Sequence, residues 1–115
     1  MRAILILCAA ALALAACTES SKRVRFDGNF YRGSAKAPAT DRHNFTASVG
    51  PVRLGLNGAR QAAFYEGTLH CVRHFGTSDI AWAVHPTEAP QEALPIQGDR
   101  LVVRGRCLEW PEPGA

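Results

Sequence analysis

An apolar segment at the start of this 115-residue chain sets its first residues apart from any folded domain. Arg2 supplies a positive charge, 3–13 form an uninterrupted apolar run, and small residues follow just before Cys17. This arrangement is typical of a secretory signal peptide. The run is too short for a transmembrane helix, which needs about 20 apolar residues. We therefore expect 1–16 to be removed, which leaves 99 of the 115 residues and the limited core of one small domain.

The tetrapeptide Leu14-Ala15-Ala16-Cys17 resembles the lipobox of bacterial lipoproteins at every position. The resemblance implies that Cys17 Sγ takes a diacylglycerol thioether and that a signal peptidase cuts between Ala16 and Cys17. Two or more acyl chains would then anchor the protein in a lipid bilayer. Thr18 follows the cysteine, which resembles the outer-membrane sorting pattern of enteric bacteria, so we expect an anchor at the periplasmic face of the outer membrane. The alternative is an ordinary signal peptide in which Cys17 is incidental.

The four cysteines have different expected fates. Cys8 leaves with the signal peptide, Cys17 carries the lipid, and Cys71 and Cys107 remain. In an oxidising envelope compartment, an isolated pair is most simply a disulfide. Closing a loop of about 37 residues would stabilise the fold by about 4 kcal/mol in the chain-entropy model. A redox pair and metal thiolates are weaker alternatives, because the chain has no C-x-x-C motif.

Hydrophobic periodicity predicts four strands and one helix in the remaining chain. The predicted elements are strands at 23–33 and 43–49, a helix at 57–75, and strands at 80–85 and 100–108. Gly28 is typical of a bulge in the first strand, 34–42 is turn-like, and Trp82 falls at a core position of its strand. The helix pattern has two misfits, with Arg60 on the apolar face and Leu69 opposite. A strand over 64–72 is therefore the alternative.

The order β-β-α-β-β predicts an α+β fold, in which one helix packs on a small antiparallel sheet. Cys71 falls on the apolar face of the helix and Cys107 on the inward register of the last strand, so their disulfide would join helix and sheet. We expect a single α+β domain over 23–110. The lipidated N-terminus and tether would occupy 17–22, and an irregular tail would occupy 111–115.

The body of the chain resembles small lipoproteins of Gram-negative bacteria that carry no assigned activity. The stretches that carry the resemblance are Gly58-Ala59-Arg60-Gln61-Ala62-Ala63, Tyr65-Glu66-Gly67-Thr68-x-x-Cys71, Gly76-Thr77-Ser78-Asp79-Ile80-x-Trp82 and Asp99 through Cys107. This resemblance covers about 80 residues. It implies a lipoprotein with one disulfide, and it implies no catalytic residue.

Net charge gives little reason to expect a nucleic-acid partner. The formal charge is +3, and it falls to +2 once Arg2 has left. Lys and Arg are scattered, except for Lys22-Arg23-x-Arg25 beside the tether. This cluster is either a solvated strand edge or a contact with anionic lipid headgroups, which the tether would bring near.

His70 and His74 are the candidate metal ligands. Their spacing of four places both imidazoles on one side of a helix, as in zinc-binding helices. His43, His85 or a carboxylate could supply a third ligand. Cys71 stands where a zinc protease has its catalytic Glu, which excludes that activity. The alternative is a pair of surface or boundary histidines without metal.

No nucleophile with a base and an orienting group is visible. Ser78 and Asp79 are adjacent, so they cannot face one another as a triad requires, and we expect Thr77, Ser78 and Asp79 to bond the local backbone. We therefore expect a non-enzymatic binding or structural domain, without a cofactor beyond the lipid on Cys17, whose partner is an envelope protein. The alternatives are a metal-binding periplasmic domain and an inhibitor or immunity-type lipoprotein.

Overall fold

The computed structural model describes residues 24–109. It confirms an α+β fold with one helix and antiparallel sheets. The cleavage site at Ala16, the lipidated Cys17, the tether at 17–22 and the tail at 111–115 lie outside the described residues.

Seven short strands and one long helix make up the described fold. In chain order they are β1 (Arg25–Phe26), β2 (Asn29–Phe30), β3 (Arg32–Lys36), β4 (Asn44–Gly50), α1 (Leu56–Phe75), β5 (Ile80–Trp82), β6 (Ile96–Gln97) and β7 (Arg100–Cys107). Single 3₁₀ turns lie at Val52–Leu54 and Gln91–Ala93. The order β-β-β-β-α-β-β-β therefore corrects the expected β-β-α-β-β.

Strand β7 lies in the middle of the main sheet. It pairs with β4 on one side, with β5 and β6 on the other, and β4 continues to β3 at the outer edge. Side chains along β4 and β7 alternate between buried and more exposed positions, as expected for a sheet covered on one face. The buried residues on the covered face are Phe45, Ala47, Val49, Leu101, Val103, Gly105 and Cys107.

Helix α1 covers that face with small residues. Its buried positions are Gly58, Ala59, Ala62, Ala63, Gly67, His70 and Cys71. Without bulky side chains between them, helix and sheet approach closely. Gly76 ends the helix in the left-handed conformation at φ 69°, and its N–H donates to the Val72 carbonyl. The predicted helix at 57–75 is thus confirmed to within one residue, and the alternative strand at 64–72 is wrong.

The first predicted strand, 23–33, is wrong as a single element. Asp27 and Gly28 both adopt positive φ, 52° and 79°, which turns the chain back between β1 and β2. Asp-Gly is a favoured pair for a two-residue hairpin turn of this kind. Gly28 is therefore a turn residue and not a bulge. The chain pairs again as β3, which runs to Lys36 and takes in the start of the predicted turn at 34–42.

The predicted strand at 80–85 ends at Trp82, because the chain leaves the sheet edge after Ala83. Ala83 N–H still donates to the Arg104 carbonyl, and Val102 N–H donates to the Pro95 carbonyl. Strands β5 and β6 therefore form one interrupted edge along β7. The excursion between them, 84–94, contains Pro86 and Pro90, which cannot donate to a sheet.

Arg60 holds this excursion against the helix. Its Nε donates to the Pro86 carbonyl at 2.7 Å, and its terminal nitrogen donates to the Ala89 carbonyl. Pro86 is fully buried, and Leu94 joins the core. Arg60, which interrupts the apolar face of α1, therefore has two backbone acceptors in the excursion.

Replacing Arg60 by Met should destabilise the fold by about 1–3 kcal/mol, because two partly buried carbonyls lose their donor. Limited proteolysis should also cut faster within 84–94. Urea unfolding measures the first effect and mass spectrometry of fragments the second. The matched control is Arg53→Met, which removes an exposed ion pair with Asp99 that should contribute at most about 1 kcal/mol. Equal losses of stability in Arg60→Met and Arg53→Met would contradict the conclusion that Arg60 holds 84–94 against the helix.

A disulfide joins Cys71 on α1 to Cys107 at the end of β7, as predicted. The S–S distance is 2.02 Å and the Cα atoms are 5.4 Å apart. Both cysteines are fully buried. Beside it, Phe45 and Trp82 meet edge to face with their ring centroids 5.5 Å apart, and Trp82 is half-buried at the rim of the core.

Candidate functional site

The uncovered side of the main sheet presents a continuous polar surface, which we call the open sheet face. Paired residues of neighbouring strands point to the same side of a sheet, so the register assigns its members. They are Arg32, Ser34 and Lys36 of β3; Asn44, Thr46, Ser48 and Gly50 of β4; Ala81 of β5; Gln97 of β6; and Arg100, Val102, Arg104 and Arg106 of β7.

Five of these positions are basic and none is acidic. Lys36 and Arg104 flank Thr46 in one row across three strands, and Arg106 lies between Asn44 and Ala81 in the next row. The face is therefore positively charged on a domain whose overall charge is nearly balanced, and the nearby Asp41 accepts a hydrogen bond from Asn44.

Hydrogen bonds hold one of the five cations flat on the sheet. Arg100 Nε donates to Ser48 Oγ at 2.7 Å. One terminal nitrogen of Arg100 donates to the carbonyls of Ser48 at 3.2 Å and Arg32 at 3.3 Å. The guanidinium thus crosses from β7 over β4 to the edge strand, and its charge stays at the surface.

A shallow depression of about 530 Å³ lies beside three of the other four cations, Lys36, Arg104 and Arg106. Its polar lining comprises Lys36, Asn44, Thr46, Arg104 and Arg106. Guanidinium and ammonium groups beside hydroxyl and amide donors suit phosphate or carboxylate oxygens, and arginine binds such groups through two parallel hydrogen bonds. The open sheet face can therefore bind anionic oxygen groups.

The two candidate metal ligands on α1 do lie together. The ring centroids of His70 and His74 are 4.6 Å apart. His70 is buried, and its Nε2 lies 2.8 Å from the Arg42 carbonyl, to which it can only donate. The pKa of His74 is lowered, first by desolvation and then by His70, Arg42 and Arg73. The lowered pKa favours the neutral form of His74, and one ring nitrogen of His70 is already engaged.

The other two histidines lie elsewhere. His43 stacks on Phe75 with ring centroids 3.9 Å apart, and its Nε2 is 3.2 Å from Glu109 Oε1. His85 Nδ1 accepts from the backbone N–H groups of Thr87 and Glu88, each at 3.2 Å. Within residues 24–109, no group of three or more His, Cys, Asp or Glu side chains could hold a metal ion.

The Thr77–Asp79 turn bonds its own backbone, since Asp79 N–H donates to Thr77 Oγ1 at 3.1 Å.

A second groove, of about 680 Å³, lies between the β1–β2 hairpin and α1. Phe26 packs on Tyr65 with ring centroids 5.4 Å apart. Glu66 also lines the groove, and desolvation raises the pKa of its carboxyl, while Arg73 acts in the opposite direction. Acidic, basic and aromatic groups are mixed here, so the groove does not define one ligand chemistry.

The sequence reasoning missed the open sheet face as a site. Alternation along 100–108 places Arg104 and Arg106 on the outward side of the last strand, and this much of the basic surface could have been predicted from the sequence. The alternation could not show that Arg32 and Lys36 join them, because that depends on the pairing of β3 with β4 and of β4 with β7.

No protein-family model, curated protein or solved structure matches this chain. Among residues 24–109, no helix is both long enough and apolar enough to cross a membrane.

Proposed function

We propose that this protein is a membrane-anchored lipoprotein of the bacterial envelope, located at the periplasmic face of the outer membrane. Its small disulfide-bonded domain acts as a non-enzymatic binding module and uses no cofactor beyond the lipid on Cys17. The open sheet face is its binding surface, and it takes a ligand that presents anionic oxygen groups.

The concentration of basic side chains on one sheet face carries the binding part of this proposal. Five basic positions stand on this face and none of its assigned positions is acidic, so like charges lie near one another there. An anionic ligand would offset the repulsion between them. A solvent-exposed surface without a binding role would more often carry both positive and negative side chains.

Two features support the anchoring part. The tetrapeptide Leu14-Ala15-Ala16-Cys17 follows a charged and then apolar segment, as a lipoprotein signal does. The Cys71–Cys107 disulfide fits a compartment outside the cytoplasm, where such bonds persist.

Cys17→Ala should abolish incorporation of radioactive palmitate and move the protein out of the membrane fraction, because the acyl acceptor is gone. The matched control is Cys8→Ala, which removes the other N-terminal cysteine and should leave labelling unchanged. Density-gradient separation of the envelope should recover the labelled protein with outer-membrane markers. Labelling that persists in Cys17→Ala would overturn the anchor.

A further inference from the structure

We infer that the open sheet face binds the anionic phospholipid headgroups of a membrane surface. The inference rests on the proposed function, since the lipid on Cys17 would hold the domain beside such a surface. It names phosphodiester headgroups as the ligand of the cationic face.

The shape of the face fits a planar ligand better than a narrow one. Its central row consists of Ser34, Ser48 and Val102, none of which is large, and Gly50 adds no side chain beside Arg100. Arg100 itself lies flat over Ser48. The cations therefore surround a broad area of small side chains, with the shallow depression at one side, where several headgroups can meet several charges at once.

The same face lacks what most protein partners require. Protein interfaces have a largely apolar core, and their strongest contacts come from aromatic residues and arginine. Among the assigned positions only Val102 and Ala81 are apolar side chains and none is aromatic, since Phe45 and Trp82, which also line the depression, belong to the covered face. Single-stranded nucleic acid would also require aromatic platforms for its bases. Electrostatic contact with a charged surface needs neither an apolar core nor aromatic side chains.

The anchor would place the face within reach of its ligand. Only six residues separate Cys17 from Val24, the first described residue, so the covalent path spans at most about 25 Å. Charges on the two surfaces interact strongly within a Debye length, which is about 8 Å at physiological ionic strength. Tethering raises the local concentration of headgroups around the domain. The open sheet face would therefore be bound to headgroups even if its affinity for them is low.

The test uses a chain that begins at Thr18, which keeps every described element and lacks both the apolar segment and the lipidated cysteine. It is sedimented with vesicles of phosphatidylcholine alone or with phosphatidylglycerol added. We expect binding to the anionic vesicles only, and weaker binding as salt is raised, because the contact is electrostatic.

Lys36→Gln/Arg104→Gln removes two charges that make no hydrogen bond or ion pair within the described residues. Each basic residue near an anionic surface contributes about fivefold, so the double variant should bind about 25-fold more weakly. The matched control, Arg42→Gln/Arg73→Gln, removes two charges beside His74 on the helix side. It should change binding by less than about twofold. Circular dichroism confirms that both variants remain folded.

Three results would overturn the inference. They are equal binding of the wild-type chain to neutral and anionic vesicles, equal losses in the two double variants, and binding to poly-glutamate without binding to anionic vesicles. The last would indicate an acidic protein as the partner. None of them bears on the lipid anchor, because Cys17 is absent from the chain tested. Conversely, if Cys17→Ala still incorporated palmitate, the lipid anchor would be disproved, but vesicle binding by the open sheet face would not be affected.

Discussion

The double variant Cys71→Ala/Cys107→Ala is expected to lose about 4 kcal/mol in its free energy of unfolding. The bond closes a loop with a sequence separation of 36 residues, and the chain-entropy model gives a cost of this size when such a link is removed. Small domains have only about 5–15 kcal/mol in total. The loss is therefore a large share of the stability.

The position of the bond explains why its loss matters here. The link is fully buried between the second half of α1 and the end of the central strand β7. The buried helix residues around it are small, which gives helix and sheet little apolar area to hold them together without the bond.

Urea unfolding of the wild-type and double-variant proteins measures this effect. Reduced wild-type protein is the control, because it lacks the bond but keeps both side chains. It should lose nearly as much stability as the double variant. A change below about 1 kcal/mol in either sample would show that the bond contributes little to the fold.

Gly67→Ala should destabilise the fold by about 1–3 kcal/mol, although alanine is the better helix former by about 1 kcal/mol. A Cβ at this position would overlap Trp82 Cη2 and lie 2.9 Å from Phe45 Cε2. Two aromatic rings that meet edge to face cannot both move aside without opening the core. The added methyl therefore causes overpacking.

Thermal unfolding and tryptophan fluorescence measure the effect of Gly67→Ala, since Trp82 is the side chain displaced. Gln61→Ala, at an exposed position of the same helix, is the control and should change stability little. A double-mutant cycle then locates the clash. Gly67→Ala should cost less in a Trp82→Ala background than in the wild type. Equal costs in both backgrounds would exclude Trp82 as the cause.

The parts of the fold that depend on local patterns could be predicted from the sequence. Helix α1 has small and apolar residues at helical spacing, with two misfits, and a glycine stop at Gly76, and β7 has an uninterrupted alternation from Leu101 to Cys107. The hairpin at Asp27-Gly28 was missed because alternation continues through it and hides the turn. The same pattern fits one long strand or two short ones, and only tertiary pairing decides between them.

The candidate site was harder to predict than the fold, because it depends on pairing between distant residues. Arg32 and Arg100 are 68 positions apart and meet only through the register of β3, β4 and β7. Arg60 could be recognised as a misfit on the apolar face, yet its partners lie in a loop whose path no periodicity describes. Surface chemistry built across several strands therefore becomes visible only with the structure.

The central place of β7 in the main sheet also sets an order of events for the growing chain. Strands β3 and β4 can pair as soon as both are present, whereas β5 and β6 have no neighbour in the main sheet except β7. Because β7 is the last described strand, the sheet cannot be completed until residues 100–107 have emerged. Cys107 closes that strand, so the disulfide also forms late. A chain that emerges N-terminus first thus remains incompletely folded until residues 100–107 are available.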